Sequence, residues 1–160
     1  MAEITQEELD ERVAILRRFR SLLEQQRAKF QEYLNVLEKQ QDSINREDTD
    51  AIACHAELEQ QVVASIGNLQ KVIVPMSELY KSTAKGANAQ ADQTLESIQN
   101  DLSRLQSKVL VQNEKNRELL RSHLATIKTQ LENFNNPYRN RTSVYTQNSS
   151  GSGRLIEINA

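Results

Sequence analysis

The sequence predicts an all-α protein, an elongated antiparallel bundle of three long, coiled-coil-like helices with a flexible C-terminal tail. Three observations carry this prediction. Apolar residues recur at three-, four- and seven-residue spacings along most of the chain. Only four glycines and two prolines interrupt its 160 residues. Hydrophobic residues make up 38% and charged residues 26%, a polar balance that suits helices burying one stripe each. Aromatics are 4% with no Trp, and β-branched runs bounded by turn residues are missing, so a sheet is not expected.

The first helix has a start signal. Thr5 followed by Glu8 forms a capping box, and Ile4 with Leu9 stands where a hydrophobic staple closes. Leu9, Leu16, Leu23, Phe30, Leu37 and Ile44 then recur every seven residues. The stripe stops at Asn45-Arg46-Glu47-Asp48-Thr49-Asp50, a run without an apolar member that can turn the chain and cap a new helix. The second helix carries Ile52, Val62, Ile66, Leu69, Ile73, Met76 and Tyr80, with a kink expected at Pro75. Residues 81–91, small and polar around Gly86, make the second connection.

The third helix is expected from about Asp92 to Phe134. Leu95, Ile98, Leu102, Leu105 and Val109 form one stripe, and Leu120, Leu124, Ile127, Leu131 and Phe134 form another. The eleven-residue interval from Val109 to Leu120 shifts the phase and reads as a stutter filled by the polar stretch Gln112–Glu118. Asn135-Asn136-Pro137 ends the helix. The expected domains are therefore a helical bundle over 1–134 and a flexible tail over 135–160.

Chemistry is hard to assemble from these residues. Cys54 is the only cysteine, so no disulfide forms within the chain, and it reads as a small half-buried residue. His55 beside it points elsewhere on a helix and reads as a core-edge histidine; His123 stands alone. No ligand set for a metal, no cofactor motif and no nucleophile–base pair appears, so neither an enzyme nor a cofactor is expected. Net charge is −2 with signs mixed along most of the chain, which argues against nucleic acid as a partner. No apolar run approaches the length of a bilayer span, and no secretion signal opens the chain, so a cytoplasmic protein without membrane insertion is expected. What the stripes can do is present apolar surface. The second stripe of the third helix can receive a partner's amphipathic helix, or else pack on the first helix or serve self-association as a homo-oligomer.

The pattern resembles the FlgN family of flagellar type III export chaperones. The likeness lies in Leu22-Leu23-Glu24-Gln25-Gln26 and in Tyr33 to Gln40. It continues through the acidic connection Arg46 to Ile52, Glu57 to Val63, Ile66, Leu69 to Ile73, Pro75 and Tyr80. It covers roughly residues 9–145. The resemblance implies a cytoplasmic chaperone for hook–filament junction proteins. It would bind their C-terminal amphipathic segment through Leu120, Leu124, Ile127, Leu131 and Phe134, prevent premature assembly, and dock on the export gate through Tyr138 or Tyr145. The competing expectation is a structural or adaptor coiled coil that self-associates through the same stripes.

Overall fold

A computed structural model describes residues 3–135. The expected tail, including Tyr138 and Tyr145, lies outside the described residues. Helix α1 spans Gln6–Asn45, α2 Thr49–Leu79 and α3 Ala89–Asn135. Among the described residues there is no strand. At 40 and 47 residues, α1 and α3 are about 60 and 70 Å long.

Each boundary has a local cause. Thr5 and Glu8 close the capping box reciprocally, with bonds of 3.2 and 3.1 Å. Ile4 and Leu9 stay 51% and 46% exposed, so the staple buries little. Helix α1 ends with Glu47 in the left-handed region (φ 54). Glu47 N–H donates to Ile44 O and Asp48 N–H to Ser43 O, the paired bonds of a Schellman turn. Asp48 then caps α2 by accepting from Ala51 N. One acidic turn thus finishes a helix and starts the next.

Helix α2 continues through Pro75. Its end widens into a π turn over Tyr80–Ala84, sealed by Lys85 N–H donating to Tyr80 O. This places the Tyr80 ring 5.0 Å from Phe19 and buries Ala84 completely. Asp92 secures the connection. It accepts from the Tyr80 hydroxyl and from Gly86 N–H, where Gly86 takes φ 88.

The partner residues give the topology. Gln26 pairs with Gln70, Tyr33 with Glu59 and Ser43 with His55, so α2 runs antiparallel to α1. Arg27 meets Asp101, Asn116 meets Leu37 and His123 meets Glu47, so α3 runs parallel to α1. Both α2 and α3 pack along α1, but they barely touch each other. Helix α1 is therefore the spine of the fold. It supplies Ile15, Phe19, Leu22 and Leu23 to a core with Ile73, Tyr80, Leu95, Ile98 and Leu102. A second core joins Tyr33, Leu34, Leu37, Val62 and Val109.

Two local expectations are corrected. Cys54 is exposed rather than half-buried, because it lies on the flank of α2 turned from α1. The stutter in α3 is an apolar gap only. Buried and half-buried positions continue from Leu105 and Val109 through Gln112, Asn116 and Leu119 to His123, at the same alternating spacing. The seam against α1 persists; its occupants become polar.

Candidate functional site

The lower half of α3 has an unusual seam. Asn116 is buried, at 4% exposure, and its amide makes three hydrogen bonds. It donates to Leu37 O (2.8 Å) and to Gln40 Oε1 (3.2 Å), and accepts from Gln112 Nε2 (2.9 Å). Gln112 also donates to Gln41 Oε1 at 2.7 Å. One hydroxyl joins all three helices: Tyr33 donates to Glu59 on α2 and accepts from Asn113 on α3, both at 3.1 Å. Burial pushes the Tyr33 phenol above its ordinary range; the Asn113 bond opposes this and the Glu59 carboxylate adds to it. The phenol stays a neutral donor. A satisfied polar layer of this kind defines register, since a slipped helix would strand these groups unpaired.

Below this layer the helices leave a cleft of about 290 Å³. Its walls are Ile44 and Gln40 of α1, Ile52 and Glu59 of α2, and Asn113, Arg117 and Leu120 of α3. His123 Nδ1 meets the Glu47 carboxylate at 2.8 Å, level with the α1–α2 turn. Because that turn ends at Asp48, the last residues of α3 extend past it, about three turns of helix to Asn135.

The expected binding stripe is only partly a shared surface. Leu120 is half-buried and lines the cleft. Leu124 is 51% exposed, whereas Ile127 is 4% exposed and offers no open surface. Leu131 and Phe134 belong to α3, but their side chains lie outside the described residues. Two residues outside that stripe are more exposed than Leu120, Leu124 and Ile127: Leu110 and Val111, each 70%. The run Val109-Leu110-Val111 was the available signal, since three consecutive apolar residues on a helix cannot all face one core.

Charge is also divided among the helices. Between Arg104 and Lys128 six basic residues stand against the two acids Glu114 and Glu118. Helix α2 has Asp50, Glu57, Glu59 and Glu78 against Lys71 alone. Among the described residues, Lys108, Lys115, Arg121 and Lys128 form no ion pair. The described residues contain no cluster of three or more His, Cys, Asp or Glu placed to hold a metal, and no helix long and apolar enough to cross a membrane.

A family model, the FlgN protein family, matches residues 4–152, nearly the whole chain. The protein belongs to the FlgN family. This family consists of chaperones of flagellar assembly and export, as the resemblance of α1, the acidic turn and α2 implies. An uncharacterized protein of Treponema pallidum (strain Nichols) is 37% identical over 157 residues, covering 98% of this chain and 97% of that protein. No solved structure matches the chain.

Proposed function

We propose that this FlgN-family protein works in the cytoplasm by holding the C-terminal amphipathic segment of a hook–filament junction protein. Holding covers the segment's assembly surface until export. The loaded complex then docks on the export gate through Tyr138 or Tyr145. No bond is made or broken, so the protein acts by binding and release, without a cofactor.

The observation that carries this reading is the lower half of α3. That half presents Leu110 and Leu124 to solvent beside Leu120 in an open cleft. Family membership supports a flagellar protein as the client, and helix-in-groove recognition is the mode such a face would use. The test is calorimetric titration of the full chain with the C-terminal segment of the junction protein from the same bacterium. Saturation near one-to-one is expected. Leu124→Asp is expected to weaken binding at least tenfold with unchanged helicity, since Leu124 is half exposed and unneeded for packing. Wild-type protein that self-associates tightly and ignores the segment overturns the proposal in favour of a structural coiled coil.

A further inference from the structure

The arrangement of the three helices is that of a four-helix bundle with one corner vacant. In a square bundle each helix packs on two neighbours, and helices on a diagonal scarcely meet. Here α1 packs on both α2 and α3, while α2 and α3 scarcely meet. They occupy the diagonal. A closed three-helix bundle would instead bring α2 against α3 along their length.

The vacant corner has prepared walls. On α2, Ile52, Glu59, Val63 and Val74 share the flank that turns toward α3, as the cleft lined by Ile52, Glu59 and Arg117 fixes. Val63 and Val74 are 46% and 51% exposed. On α3, Leu110, Arg117, Arg121, Leu124 and Lys128 share the flank that turns toward α2. Both walls are thus apolar in part, and the lower α3 wall is cationic.

We propose that this corner is filled by an amphipathic helix of the client, about 20 residues long, whose flank against α3 is acidic. The inference rests on the client-binding reading above and adds where the helix lies and what charge it carries. Charge selects the occupant. The chain's own residues 136–160 carry Arg139, Arg141 and Arg154 against Glu157, the same sign as the α3 wall, and do not complement it.

The test uses the full chain with Cys54→Ser and one new thiol, Val63→Cys inside the corner and level with Leu110, or Val72→Cys on the opposite flank. Alkylation rates are measured with and without a saturating junction-protein segment. The expected result is that the segment slows alkylation of Val63→Cys at least tenfold and leaves Val72→Cys unchanged. Equal slowing of both thiols, or of neither, in the presence of proven binding overturns the corner and leaves the chaperone reading standing. Slow alkylation of Val63→Cys in the free chain overturns it too, because the tail or a second copy would then hold the corner. A segment that does not bind at all overturns both readings.

Discussion

Asn116 offers a separation of hydrogen bonding from packing at one position of the α1–α3 seam. Truncation to Ala removes two donated bonds, to Leu37 O and Gln40 Oε1, and one accepted bond from Gln112. Each is worth about 1 kcal/mol net, so Asn116→Ala is expected to cost about 2–3 kcal/mol. At about 2–4 °C per kcal/mol for a chain of this size, the melting temperature falls by roughly 5–10 °C. Asn116→Leu loses the same bonds but buries an apolar side chain at a seam position, which restores about 1.5–3 kcal/mol. Its net change is therefore expected to lie within about 1 kcal/mol of wild type, because exchanging a polar layer for leucine is often close to neutral. Urea unfolding followed by circular dichroism measures both. The reasoning is refuted if Asn116→Ala costs under about 0.5 kcal/mol, or if the Leu and Ala variants are equally destabilised.

Other positions give independent checks. Leu37 is fully buried where α1 meets both neighbours, so Leu37→Ala is expected to cost about 2–5 kcal/mol by calorimetric melting. Gly86 has φ 88 and nothing within 4 Å of an added Cβ, so Gly86→Ala should lose about 1 kcal/mol of backbone energy and leave packing unchanged. Burial, helped by the Asp92 carboxylate, pushes the Tyr80 phenol up to about 12, against about 10 in an unfolded chain. The folded state holds that proton more tightly, so this contribution is complete below about pH 10 and is lost as pH rises toward 12. Urea midpoints should fall across that window more steeply in wild type than in Tyr80→Phe, and parallel slopes would refute the assignment.

Most of the architecture was legible because helices announce themselves locally. Thr5 with Glu8, the heptad Leu9 to Ile44 and the acidic Arg46–Asp50 connection placed the first two helices within a few residues of their observed ends. Pattern reading failed where it counted apolar residues alone. Gln112, Asn116 and His123 hold seam positions, so an unbroken seam looked like a stutter. The π turn at Tyr80 also left no local mark, since it follows from fitting Tyr80 against Phe19 and Asp92, residues distant in sequence. The candidate site was half legible. Periodicity selected Leu120, Leu124 and Ile127 as one stripe, but only the mutual avoidance of α2 and α3 shows which surface stays open. Two helices of similar stripe can close on each other or stand apart, and the difference lies in interhelical angles that no single stripe encodes.

The α1 spine has a consequence for how the molecule comes apart. Because α2 and α3 lend each other almost nothing, each is secured by its own seam on α1. Peeling α3 away would leave the α1–α2 hairpin with the Schellman turn, the Asp48 cap and the Gln26–Gln70 and Ser43–His55 links untouched. Opening thus divides along the chain into two steps rather than one. Amide protons of α3 should exchange as a group, at a lower free energy than those of α1. During synthesis the same asymmetry lets the hairpin settle on the ribosome before the third helix has emerged, and α3 then zips onto a finished template.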